Sequence, residues 1–140
     1  MIIMGNEKTE IEKKELERLM MDATMQLLLN PDSFGVASEY LGEEFIDSVD
    51  CYTIKLVLPS GIRWFQYYDV ETGLKFKETK EIQTKQGLFE QETYFSDYRE
   101  VKGLKFPFTI KQHLGLQEID LTVVSIEINT GLADSVFTLP

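Results

Sequence analysis

One histidine, one cysteine and a few carboxylates on strand-like segments are the residues of this 140-residue chain whose types could do chemistry. His113 stands beside Gly115, with Gln112, Gln117 and Glu118 near it, and that spacing supplies no metal-ligand set. It reads as a solvated turn histidine. Cys51 alone excludes an intrachain disulfide and a cysteine-rich zinc site; no neighbouring His or Lys pattern lowers its pKa, so it reads as a small strand residue. Glu90 and Glu92 alternate like a carboxylate pair, but Gln91, Thr93 and Asp97 make that segment a polar strand face. Ser96-Asp97 lies far from His113, and neither a nucleophile elbow nor a Gly-rich oxyanion or phosphate loop accompanies them. The residues therefore point away from an enzyme, with no catalytic group, no metal and no cofactor.

Composition narrows the classes further. With 43% hydrophobic and 27% charged residues, the chain reads as one soluble domain, residues 1–140, with a single core. A net charge of −10 opposes a phosphate backbone and anionic headgroups alike, so nucleic acid is not an expected partner. It leaves an apolar acyl chain open as a ligand. Met1-Ile2-Ile3-Met4-Gly5 is too short for a signal-peptide core, and no apolar run is long enough to span a membrane. Either the protein is cytoplasmic, or the chain is a mature form or a segment of a longer parent.

The elements that must carry these residues follow from periodicity. Thr9-Glu10-Ile11-Glu12 matches a capping box, and Leu16, Leu19, Met20, Ala23, Thr24, Leu27 and Leu28 recur at helical steps. The spacing predicts a helix over about residues 9–29, ended by Asn30-Pro31. Its charged start, Glu7 to Arg18, reads as a solvated face. Met20, Met21 and Met25 at helical spacing read as core filler against a sheet, although methionines also suit an adaptable ligand wall.

An antiparallel meander is expected over about residues 40–139. Tyr40–Ile46 is a first strand, and Asp47-Ser48 the turn after it. In Cys51–Leu58 strict alternation sets Tyr52, Ile54, Leu56 and Leu58 on one face. Ile62–Val70, Leu74–Thr84, Leu88–Arg99, Leu104–Gln112 and Gln117–Asn129 follow, with Gly61, Gly73, Gly87, Gly103 and Gly115 at the junctions. Tight turns make neighbours antiparallel, because parallel strands need long crossovers. Two irregularities stand out. The apolar parity switches between Val123 and Val124, which predicts a bulge there, and Pro107 must sit at an edge, a bulge or a non-bonded position. Aromatics on both faces (Trp64 and Tyr68 against Phe65 and Tyr67) imply strong curvature or an outside partner.

The segments Tyr67-Tyr68-Asp69-Val70-Glu71-Thr72-Gly73-Leu74 and Tyr94-Phe95-Ser96-Asp97-Tyr98, then Gly103-Leu104-Lys105-Phe106-Pro107 and Asp134-Ser135-Val136-Phe137-Thr138-Leu139-Pro140, carry a family likeness. Over about residues 40–140 the chain resembles the periplasmic lipoprotein-localisation-factor-like, or outer membrane lipoprotein-sorting, family. Similar modules are appended to insulinase-type peptidases of Bacteroidetes. The resemblance implies an incomplete antiparallel barrel around helices, an apolar concavity for acyl chains, and a periplasmic location. Relatives carry further N-terminal strands before the helix, which this chain lacks, so the resemblance also implies an open sheet edge near Tyr40–Ile46. A homodimer or a parent-chain partner is expected there. It carries over no functional residue.

The fold class expected is α+β: a strongly curved antiparallel sheet, an incomplete barrel, wrapped around an N-terminal amphipathic helix. The function expected is a non-catalytic binding module for a hydrophobic ligand, a lipid or lipoprotein acyl chain, in the concave face. Its expected lining is Tyr52, Ile54, Leu56, Trp64, Tyr68, Phe76, Phe106 and Phe108, with Met20 and Leu27 from the helix. The alternative is an accessory interaction domain of a larger periplasmic assembly such as a peptidase, its concavity filled by its own helix. An apolar helix face fills a cavity and lines one equally well.

Overall fold

A computed structural model of the chain describes residues 2–4, 7–9 and 11–138. The order of elements is β1 (Ile2–Met4), β2 (Glu7–Thr9), α1 (Lys13–Asp22), a 3₁₀ turn (Pro31–Phe34), β3 (Ala37–Ile46), β4 (Val49–Val57), β5 (Arg63–Asp69), β6 (Lys75–Thr84), β7 (Gly87–Val101), β8 (Leu104–Leu114), β9 (Gln117–Thr122) and a second 3₁₀ turn (Asp134–Phe137). Strands β1 and β2 form a small ribbon; β3 to β9 form one seven-stranded sheet in sequence order, every pair antiparallel. The sheet is open, with β3 and β9 at its edges. The α+β meander expected from the turns is the fold observed.

The turns carry their conformations as the residue types require. Asp47 and Ser48 both have positive φ, 46° and 70°, the two-residue reversal that matches the twist of flanking strands. Gly42 has φ 101° where the β3–β4 register shifts between Tyr40 and Gly42, so Leu41 is the extra residue of a bulge in the edge strand. A second register shift, between Tyr67 and Tyr68, sends Lys75 and Lys77 to opposite faces of β6.

Four expectations are corrected. The helix runs only from Lys13 to Asp22, its N-cap is Glu12 without a side-chain cap bond, and Thr9 belongs to β2, so the capping box does not form. Turns follow from Ala23, and they bring Leu27 into the core where a continued helix would not. The stripe is rotated accordingly. Leu16 and Met20 are exposed, at 44% and 63%, while Arg18 is buried between Glu15 and Asp22, with nitrogen–oxygen distances of 2.6 and 3.1 Å. Spacing defines a stripe on a helix but not which side the sheet lies on, and an arginine flanked by two carboxylates can be desolvated at modest cost. Finally, β9 ends at Thr122, so the parity switch at Val123-Val124 marks a strand end and not a bulge. Pro107 pairs with Tyr98 just beyond Thr109, where the β8–β9 ladder stops.

The apolar core lies on the helix-covered face: Leu27, Val36, Leu56, Leu58, Ile62 and Trp64, with Met21, Phe34 and Ile54 packed against it. The opposite face is polar yet sheltered. Cys51, Thr53, Lys77, Thr79 and Glu81 are all buried there. Strong curl supplies the cover, because Asp47 of the β3–β4 turn lies beside the Tyr94 hydroxyl, three strands away from β4. Phe65 and Tyr67 on that face are half-buried by the same curl, which accounts for aromatics on both sides.

Candidate functional site

Where α1 gives way to turns, the chain leaves a cleft against the sheet of about 330 Å³. Met21, Met25, Leu27 and Leu28 wall it from the helix side. Trp64 and Gln66 of β5, Lys75, Glu78 and Lys80 of β6, and Phe95 of β7 form its floor. Alternation explains the floor: Trp64 pairs with Lys80 and Gln66 with Glu78, so the four share the face that the helix covers.

A charged cluster holds this floor together. The Glu78 carboxylate accepts from Gln66 Nε2 at 3.2 Å and from Lys75 Nζ at 3.1 Å, and its other oxygen lies 3.1 Å from Lys80 Nζ. Lys80 also pairs with Asp22 at the end of α1, tying helix to sheet. Burial pushes the Glu78 carboxyl up, but Lys75 and Lys80 outweigh it, and the net shift is below the ordinary carboxylate value. Glu78 is thus held ionised, with three donors on its two oxygens. Tyr98 donates to the Lys75 carbonyl at 2.6 Å, and burial, reinforced by Tyr68 and Glu78, pushes its hydroxyl up to about 12.

Beneath this floor two buried polar atoms with no accessible surface have no hydrogen-bond partner among the described residues: Trp64 Nε1 and Gln66 Oε1. Both side chains are only 2% exposed. The Gln66 orientation is forced, since only its amide nitrogen can donate to Glu78, and the oxygen is what remains.

The expected lining residues separate into groups. Trp64 and Leu27 meet at the cleft, and Leu56 and Ile54 pack in the core beside them. Tyr68 is half-buried near Lys75, whose ammonium stands 6.0 Å from its ring. Tyr52 lies farther along β4, 37% exposed, its ring tilted 57° to that of Tyr40. Phe76 sits in the β5–β6 irregularity against Tyr94, Phe108 is buried under Arg99, and Phe106 is half-buried. Met20 points to solvent. Sequence reasoning missed Gln66, Glu78, Lys75, Lys80 and Phe95. Alternation with Trp64 was the signal that could have found Gln66; nothing in the sequence singles out the β6 charges, because their mutual neutralisation is a tertiary property.

Elsewhere, a recess of about 390 Å³ lies at the β6–β7 and β8–β9 turns, lined by Phe89 and Leu114 among polar turn residues, and it contains no buried unpaired polar atom. On the polar face Lys77 lies 2.7 Å from Glu92; burial pulls the ammonium down, but Glu92 and Tyr94 reverse it and hold the charge firmly. Burial pushes the Cys51 thiol up, with Asp69, Asp50 and Glu44 adding to it, the opposite of a reactive thiolate. Among the described residues no group of three His, Cys, Asp or Glu stands where it could hold a metal ion. No helix among them is long and apolar enough to cross a membrane.

No protein-family model matches the chain, and no curated protein sequence matches it. Solved structures do match in fold. The chain is similar to a DUF1329 family protein from Desulfovibrio piger ATCC 29098, with a TM-score of 0.58 and 19% identity over 74% of this chain and 45% of that one. It is also similar to a domain assigned to outer membrane lipoprotein sorting, from Vibrio parahaemolyticus, with a TM-score of 0.57 and 15% identity over 73% of this chain and 46% of that one. The chain spans less than half the length of either. At these identities the likeness is one of fold, and it is the fold that the resemblance in the sequence implied. Neither neighbour bears on the modules appended to peptidases.

Proposed function

We propose that the chain is a non-catalytic module that binds the acyl chain of a lipid or lipoprotein in the cleft between the α1 segment and the sheet. The observation that carries this reading is the cleft itself: Met21, Met25, Leu27 and Leu28 leave it open over Trp64 and Phe95. Flexible thioethers and leucines beside aromatic rings suit a chain of methylenes, which needs contact area and no fixed geometry. The lipoprotein-sorting assignment of one fold neighbour agrees with it, as does a site whose one buried carboxylate is engaged by three donors of the chain itself. A periplasmic location rests on that same neighbour.

Trp64 reports on occupancy, being the chain's one tryptophan and part of the floor. Titration with octyl-chain ligands should change its emission saturably, and solvent extraction of the purified protein should release acyl lipid. A flat emission titration together with lipid-free protein would turn the assignment to the accessory-interaction reading. The exposed apolar residues of edge strand β3, Tyr40, Leu41 and Phe45, favour that second reading.

A further inference from the structure

A second recess, of about 250 Å³, adjoins the cleft between the α1 segment and the sheet, and Lys75 and Phe95, both half-buried, line the two of them. Leu74, Phe76 and Tyr98 wall it, with Asp69 and Thr72 from the β5–β6 turn. Its polar groups are engaged within the chain. The Lys75 ammonium is held by Glu78 at 3.1 Å, so the side chain offers its methylene stem. The Tyr98 hydroxyl donates to the Lys75 carbonyl at 2.6 Å. Asp69 Oδ1 accepts from the Glu71 and Thr72 amides at 2.7 and 3.3 Å, and Thr72 Oγ1 accepts from the Leu74 amide at 3.2 Å. What remains for a ligand is mostly the apolar surface of Leu74, Phe76, Phe95 and the Tyr98 ring.

Resting on the acyl-binding reading, we infer that the two recesses form one track across the Phe95 ring, and that the site takes a long acyl chain, of the hexadecanoyl class, in preference to a short one. The cleft alone, about 330 Å³, lies at the bottom of the ~300–1,000 Å³ range of small-molecule sites, and the joined recesses lie well inside it. A methylene chain needs no polar partner and can bend at each carbon, so it turns over Phe95 from one recess into the next. A short chain fills the first recess and leaves the second to water. Each further methylene wholly removed from water is worth about fourfold in affinity, and that is the source of the selectivity.

The test is a calorimetric titration of the intact chain with octanoyl-, dodecanoyl- and hexadecanoylcarnitine, which share one zwitterionic head, each below its critical micelle concentration. The hexadecanoyl ligand should bind about tenfold or more tighter than the dodecanoyl one, less than the full worth of the added methylenes because the track is open to solvent on one side. Leu74→Trp, which fills the second recess from its wall, should erase that step and leave the octanoyl affinity unchanged. A plateau from dodecanoyl to hexadecanoyl, or a step that survives Leu74→Trp, would overturn this inference and leave the acyl-binding reading standing. Absence of binding by all three would remove both. If Leu74→Trp does not fold, Thr72→Trp, at an exposed turn position lining the same recess, takes its place.

Discussion

Lys80 lies over Trp64, its ammonium 4.6 Å from the indole centroid, and the same ammonium is 3.1 Å from the Glu78 carboxylate. One side chain thereby joins the aromatic floor, the buried acid and, through Asp22, the end of the helix. Lys80→Met keeps the stem but removes all three attractions and leaves Glu78 with Lys75 and Gln66 alone. We expect a loss of about 1–3 kcal/mol, read as a lower urea midpoint with an unchanged slope. An unaltered midpoint would show that these contacts add nothing net.

Acid should expose the same cluster. The folded Glu78 carboxyl binds its proton at lower pH than the ordinary value of 4.5, so the unfolded chain takes up the proton first as pH falls. Its stabilising contribution is therefore complete above that value and is lost as pH drops through the lowered folded pKa. Glu78→Gln should flatten that part of the stability–pH curve relative to the parent chain. Parallel curves for the two proteins below pH 4.5 would contradict the assignment.

The correction of the helix stripe is open to a paired substitution. Leu27, 2% exposed, should cost about 2–4 kcal/mol as Leu27→Ala. Met20, 63% exposed, should cost less than about 0.5 kcal/mol as Met20→Ala. Equal costs in thermal or urea unfolding would restore the stripe inferred from spacing.

Assembly is expected at the outer edge of β3, which no described residue pairs and which presents Tyr40, Leu41 and Phe45. The bulge at Leu41 interrupts that edge without covering it. Sedimentation should show a concentration-dependent dimer, and Leu41→Lys with Phe45→Lys should return it to monomer. A strict monomer at high concentration would mean that the bulge alone protects the edge.

Local chemistry was enough to read the meander from the chain. Gly61, Gly73, Gly87, Gly103 and Gly115 all take positive φ at the turns they were expected to make, and the alternation of Ile54, Leu56 and Leu58 does set them toward the core. Turns and two-residue alternation are properties of neighbours in sequence, so neighbours suffice to reveal them. The end of the helix was not legible, because helical spacing continues through Leu27 and Leu28 while the core accepts Leu27 only from a turn. Nor was the site. Lys75, Glu78 and Lys80 carry the signature of a solvated strand, and only the pairing of β6 with β5, with Asp22 brought down from the helix, makes their burial affordable. Desolvating a charge depends on where its counter-charges stand in space, and the tertiary structure alone decides that.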